Sequence, residues 1–169
     1  MKNKAQIVSI LVVYDSYTGN TEQLAKAVAQ GAAAVEGAAV ALRKADKADV
    51  KDLLAADGII VGSPAYYGLM TARLKRLFDA SVKLHGKLEG KAGAAFTTAG
   101  GTATGAETTL LSILTAMLVH GMVVQGRSGD KHFGPACVGK PNAAALKLGR
   151  ELGRRTALLA QKLRHNGSR

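Results

Sequence analysis

Apolar residues fall into two rhythms that alternate along the chain. Ile7–Tyr14 (Ile-Val-Ser-Ile-Leu-Val-Val-Tyr) is nearly unbroken, the pattern of a strand buried on both faces rather than one. From Thr21 the spacing becomes helical: Leu24, Ala25, Val28 and Ala32 share a face, and Gly37 ends the helix. A weak strand is expected at Val40–Leu42, a short helical turn near Asp49–Ala56, and a second buried strand at Gly58–Gly62, closed by Ser63-Pro64. Leu74, Leu77, Phe78 and Val82 mark another amphipathic helix, and Gly93–Thr97 another strand. After a Gly/Thr-rich loop from Thr98 to Gly105, Glu107 opens an apolar helix through Leu110, Leu111, Leu114, Met117 and Leu118 that stops at His120-Gly121. Met122–Gln125 reads as the last strand and 126–142 as a long Gly/Pro loop. The final helix turns Leu148, Leu152, Leu159 and Leu163 inward and Arg150, Arg154 and Arg155 outward.

Five strands alternating with helices demand a parallel sheet with right-handed crossovers and helices on both faces, so the expected class is α/β, doubly wound. The 169 residues show no repeat and no linker, and are expected to form one domain over 1–169. Ligands of such folds bind beyond the carboxyl ends of the strands. The segments directly after strands are therefore where chemistry should be sought.

Composition narrows the classes. The chain is 47% hydrophobic, enough for a real core, which excludes disorder as the whole answer. Its single cysteine, Cys137, excludes a disulfide framework and a cysteine-based zinc site, fits a reducing compartment, and reads as an ordinary thiol. No run approaches the roughly 18–20 apolar residues of a membrane span, and the apolar start lacks the length and cleavage site of a signal peptide. The expectation is a cytoplasmic protein. The net charge of +11 admits nucleic acid, an acidic membrane surface or an anionic small ligand as partner. Residues 140–169 hold eight Lys/Arg against Glu151 alone, so the excess lies on one helical segment read as a solvated face. No aromatic interleaves those charges and no recognition-helix motif is present, which argues against nucleic acid.

Three loops carry the chemistry. Ser16-Tyr17-Thr18-Gly19-Asn20-Thr21 follows the first strand and opens a helix. Hydroxyls, a glycine turn and the free N–H groups of a helix start form a nest for a terminal phosphate. The loop has no lysine, so it is no Walker loop, and it is not Gly-x-Gly-x-x-Gly. A simple N-cap would need one such residue, not four polar side chains in six positions. Pro64-Ala65-Tyr66-Tyr67-Gly68 offers a fixed backbone and two flat aromatic surfaces for a ring system. Thr98-Ala99-Gly100-Gly101-Thr102-Ala103-Thr104-Gly105 presents backbone amides and carbonyls without side-chain obstruction, suited to the edge of a heteroaromatic ring. His120, taken alone, is a helix-end histidine favoured by the helix dipole.

With these residues in view the chain resembles the flavodoxin-like proteins, whose phosphate loop reads Thr/Ser-x-Thr-Gly-x-Thr and is matched by Ser16, Thr18, Gly19 and Thr21. It is more closely similar to the NAD(P)H:quinone oxidoreductases first described as tryptophan-repressor-binding proteins. That likeness rests on Gly-Ser-Pro-Ala-Tyr-Tyr-Gly at 62–68, Gly-Ala-Glu-Thr-Thr-Leu-Leu at 105–111 and His120-Gly121-Met122, and spans nearly the whole chain. The resemblance implies a five-stranded sheet of order 2-1-3-4-5 and bound FMN. It places Ser16–Thr21 on the phosphate, Pro64–Gly68 beside the isoalloxazine, Thr98–Gly105 on its edge and the ribityl chain, and His120 beside the flavin. It also implies a homo-oligomer, tetramer or dimer, passing two electrons from NAD(P)H to a quinone without an obligatory side-chain acid or base. Three departures bear on the donor and quinone site rather than on FMN: Thr18 stands where an aromatic is frequent, no Trp precedes the fourth strand, and Lys83–Lys91 is short. The alternative is an electron-shuttling flavodoxin without its own NAD(P)H site; such shuttles are typically acidic, which the +11 charge opposes.

Overall fold

The structure is a computed structural model that describes residues 7–166, with side chains through Arg164. Lys2, Lys4 and the last basic residue, Arg169, lie outside the described residues. In chain order the elements are β1 (Val8–Tyr14), α1 (Asn20–Ala33), β2 (Ala38–Lys44), α2 (Val50–Ala55), β3 (Gly58–Pro64), α3 (Ala72–Ala80), β4 (Ala92–Ala99), α4 (Ala106–Val119), β5 (Val123–Val124), β6 (Ala136–Val138) and α5 (Ala143–Asn166). A 3-10 turn, Ser81–Leu84, extends α3.

All paired strands are parallel, in the order β2-β1-β3-β4-β5, with β6 also on β4. This is the doubly wound α/β class the spacing predicted, with the flavodoxin-like strand order the resemblance implied. Successive side chains of β1 go to opposite faces. Leu11 and Val13 join Ile59, Val61, Leu74, Leu110 and Ile113 under α2, α3 and α4, while Ile10, Val12 and Tyr14 join Leu24, Val28, Phe96 and Leu152 under α1 and α5. A sheet covered on both sides explains why its strands lack alternation.

Several expectations are corrected. The loop expected over 126–142 contains β6: Val123–Val124 pairs with Ala92–Gly93, and Ala136–Val138 pairs with Thr97–Ala99. The fifth position of the sheet is thus one strand in two pieces, with 125–135 standing opposite only 94–96 of β4. The strand expected at Met122–Gln125 shrinks to two residues for the same reason. Val82 is exposed rather than part of the buried face of α3, because the helix tightens to a 3-10 turn at Ser81 and its phase changes. Leu111 and Leu118 are exposed on α4, where Ile113 is buried instead.

On α5 the inner face is built from small residues more than from leucines. Gly149, Leu152, Gly153, Thr156, Ala157 and Ala160 are buried, and Leu148, Leu159 and Leu163 only partly so. A side chain at Gly153 would collide with the Val28 carbonyl, and one at Gly31 with the Arg150 backbone. The helices α1 and α5 therefore approach backbone to backbone, which fixes the axis of α1 and the placing of its first turn. Nor are the basic residues of α5 all solvated: Arg155 donates to the Gly126 carbonyl at 2.6 Å, and Arg164 to the Ile7 carbonyl and to Asp57, each at 2.7 Å.

Candidate functional site

At the carboxyl edge β1 leads straight into α1. Gly19 is the N-cap, in the left-handed conformation (φ 86°), and no side chain caps the helix. The first intrahelical bond runs from the Gln23 N–H to the Gly19 carbonyl (3.0 Å), leaving the N–H groups of Asn20, Thr21 and Glu22 at the open helix end. The helix α2 contrasts with this: Asp49 and Asp52 close it with a reciprocal capping box. Ser16 is buried and its Oγ accepts from the Gly19 N–H (3.1 Å), which shapes the turn. Tyr17 and Thr18 are exposed, and Asn20 is half-buried. Glu22, in the first turn, is paired with Lys26 at 2.7 Å, and that partner holds its carboxyl below the ordinary range and offsets its charge near the helix end.

The second and third loops interlock with the first. Thr21 and Thr98 share a hydroxyl–hydroxyl hydrogen bond of 2.8 Å, and both are buried. One of the two hydroxyl protons is consumed in that bond, and the other remains to be donated elsewhere. Thr98 and Ala99 belong to β4 and not to the loop expected there, because the ladders to β3 and β6 continue through them. Pro64 likewise ends β3, opposite Thr98, and the Ala65 N–H donates to the Thr98 carbonyl (2.8 Å). Tyr66 and Leu69 close a tight turn with Tyr67 at its tip, φ 50° and fully exposed. Gly68 (φ 76°) and Gly105 (φ 88°) meet backbone to backbone: a Cβ on Gly105 would stand 2.6 Å from the Gly68 Cα. Gly105 caps α4 without a side-chain bond, as Gly19 caps α1. Gly100, Gly101 and Thr102 form the rim between them, and nothing lies within 4 Å of where a Cβ on Gly100 or Gly19 would stand.

The structure therefore brings Ser16–Thr21, Pro64–Gly68 and Thr98–Gly105 to one edge. It does not bring His120 to them within the chain. The helix α4 starts at the carboxyl edge with Gly105 and runs back some 20 Å, at about 1.5 Å per residue, so its last residues lie at the amino-terminal edge. There the Gly121 carbonyl accepts from the Gly90 N–H and the Val123 N–H donates to the Lys91 carbonyl. His120 Nε2 is 2.7 Å from Ser81 Oγ. The Ser81 hydroxyl spends its proton on the Phe78 carbonyl (2.6 Å), so Nε2 carries the hydrogen and donates. Burial pushes the His120 pKa down, with His85 adding to the effect.

Two residues that the sequence reasoning missed sit at the foot of the 16–21 loop. Asp15 is completely buried, and its Oδ1 accepts from the Ser16 N–H (2.9 Å) and from Arg73 Nη1 (3.2 Å). Its Oδ2 has no partner. The Arg73 guanidinium lies 4.7 Å from the centre of the Tyr17 ring, and Tyr17 meets Tyr66 edge to face at 5.4 Å. An arginine of α3 thus links the buried carboxylate to an aromatic pair spanning the first two loops. The signal in the sequence was an aspartate directly after an otherwise apolar strand.

No described helix is long and apolar enough to cross a membrane, and the described residues hold no cluster of three His, Cys, Asp or Glu able to bind a metal ion. Burial raises the pKa of Cys137, which keeps it a thiol.

Comparison with known proteins fits this geometry. The chain is 41% identical over 156 residues to a protein of Aquifex aeolicus named flavodoxin, covering 88% of this chain and 84% of that one. It is 35% identical to an NAD(P)H dehydrogenase (quinone) of Archaeoglobus fulgidus, covering 91% of this chain and 98% of the relative. The crystal structure of a flavodoxin, WrbA-like protein from Agrobacterium tumefaciens superposes with a TM-score of 0.78 at 27% identity, covering 92% of this chain and 98% of that one. The relatives thus divide between quinone dehydrogenase and flavodoxin names. Residues 8–129 match the model described as NADPH-dependent FMN reductase, and with the fold and the open helix end at Gly19 this places the chain in that flavodoxin-like family, for which FMN is the implied cofactor.

Proposed function

We propose that this protein binds FMN at the carboxyl edge and catalyses electron transfer from NAD(P)H to a quinone. One observation carries the reading: an uncapped helix start at Gly19 and the 64–68 and 98–105 loops converge on the same edge. The residues fit the cofactor. The N–H groups of Asn20, Thr21 and Glu22 and the hydroxyl of Thr18 suit a phosphate monoester, and Gly19 leaves room for its close approach. Pro64, Ala65, Tyr66, Tyr67 and Gly68 would flank the ring, and Thr98, Ala99, Gly100, Gly101, Thr102 and Gly105 would meet its edge and the ribityl chain. Bound FMN would supply the two-electron redox chemistry between NAD(P)H and the quinone.

The protein's share is binding, orientation and access. The Thr21–Thr98 bond and the Gly68–Gly105 contact hold the loops at fixed separation. Arg73 holds Tyr17 against Tyr66 and keeps the buried Asp15 charge compensated.

The relatives named flavodoxin support a second reading, an electron carrier reduced by a partner rather than by NAD(P)H. Anaerobic stopped-flow on FMN-loaded protein separates the two. Rapid bleaching of flavin absorbance by NADPH or NADH, reversed by benzoquinone, is the expected result. Reduction by dithionite but by neither donor would establish the carrier instead, and failure to load FMN would remove both readings.

A further inference from the structure

A groove of about 390 Å³ runs between the 45–50 segment and α3, beside the phosphate loop. Its upper end is fixed by the Ala45 N–H, which donates to the Tyr14 carbonyl (2.7 Å) and so starts the segment next to the end of β1. Ala45, Ala48, Val50, Leu77 and Ala80 give it an apolar floor. Arg73, Arg76 and Lys83 line one wall, spaced so that they fall along a single face of α3 and its 3-10 extension. The charges are not equally engaged. Beside them on α3, Asp79 is taken up by Lys75 at 2.6 Å. Arg76 and Lys83 have no ion-pair partner among the described residues. Of the two acids at the groove, Asp49 is spent on the N–H groups of Lys51 and Asp52, and Asp46 is exposed.

Unpaired cations over an apolar floor suit a ligand with a flat apolar ring and a phosphate. The groove adjoins the site above it, since Arg73 borders the groove and also lies over Tyr17. We infer that this groove binds the adenosine end of the nicotinamide donor, with Arg76 and Lys83 receiving its 2′-phosphate, so that the donor's other end reaches the ring loops and NADPH is preferred over NADH. The inference rests on the reading of the site as a flavin–nicotinamide site, and names the residues that recognise the donor.

The probe is adenosine 2′,5′-bisphosphate, titrated calorimetrically into FMN-loaded protein at low ionic strength, where exposed charges are least screened. The expected result is saturable binding, about ten-fold or more tighter than for adenosine 5′-monophosphate, and weakened about ten-fold or more in the R76E/K83E double variant. The NADPH concentration that gives half-maximal bleaching should rise by a similar factor. A second double variant, K147E/K162E, makes the same change in net charge on exposed positions of α5 and should bind as the parent does, which separates local recognition from the general attraction of a +11 protein. No binding by the parent protein, or equal weakening in both double variants, or none in R76E/K83E, would overturn the proposal. Should neither donor bleach the flavin, the donor reading of the site fails. Saturable binding that R76E/K83E abolishes would then still establish the groove as a nucleotide site.

Discussion

Replacing Gly105 by alanine tests whether the 64–68 and 98–105 loops act as one rigid unit. Two costs can be read from the structure. The residue sits at φ +88°, where an L side chain costs about 1–2 kcal/mol relative to glycine. Its Cβ would also stand 2.6 Å from the Gly68 Cα and 3.0 Å from the Gly68 nitrogen, contacts with backbone that no rotamer change can relieve. Overpacking of this kind costs about 1–3 kcal/mol more. The total of about 2–5 kcal/mol is shared between lost stability and displacement of the loops. For a domain of this size, about 2–4 °C per kcal/mol, the melting temperature falls by roughly 4–20 °C if the loops stay in place. If they separate, the fall is smaller and FMN affinity drops about ten-fold or more, since about 1.4 kcal/mol of binding is a factor of ten. Thermal melting of the FMN-free protein and quenching of flavin fluorescence measure the two parts. G68A should be milder, because its Cβ meets only the Thr108 hydroxyl, a side-chain tip that can rotate. G100A is the companion: with nothing within 4 Å it should melt as the parent does, so any loss of FMN affinity reports the closeness of the cofactor itself. A G105A protein matching the parent in both melting and FMN affinity would refute the rigid coupling.

Other expectations follow from single contacts. R73A leaves the buried Asp15 carboxylate uncompensated and should melt below the parent, while D15N/R73A should recover part of that loss; a double variant no more stable than R73A would sink the pairing argument. T21V strands the Thr98 hydroxyl in a buried site and should cost about 1–3 kcal/mol by urea unfolding, with T21V/T98V costing less than the sum of the single variants. G153A drives a methyl into the Val28 carbonyl and should cost at least about 1–3 kcal/mol, reported by the same unfolding curves. The folded-state pKa of His120 lies below its unfolded value near 6.5, so its contribution is complete above that pH and lost as pH falls through the lower folded value. Melting scans from pH 8 to 5 should therefore decline more for the parent than for H120Q, which keeps an N–H donor for Ser81.

The order of elements, the burial of both sheet faces and the glycine-led helix start after β1 were legible in the amino-acid sequence because each is written in neighbouring residues. A short apolar run bounded by glycines, such as Gly58–Gly62, reads as a doubly covered strand, and Gly19 between hydroxyls and a helical pattern reads as a helix start. What the linear pattern does not contain is direction and distance between elements. His120 directly follows a helix that begins at the glycine loop, yet the length of that helix carries it to the opposite edge of the sheet. The two pieces of the fifth strand could not be joined across 125–135 until β4 was seen pairing with both. The small inner face of α5 was masked by its leucines, because helix contact distance depends on the facing helix as well as on spacing. Asp15 and Arg73 are 58 positions apart, and only the packing of α3 against the end of β1 makes them a pair. Local periodicity determined which elements form, whereas the long-range contacts that position the site, and the groove beside it, exist only once those elements are packed.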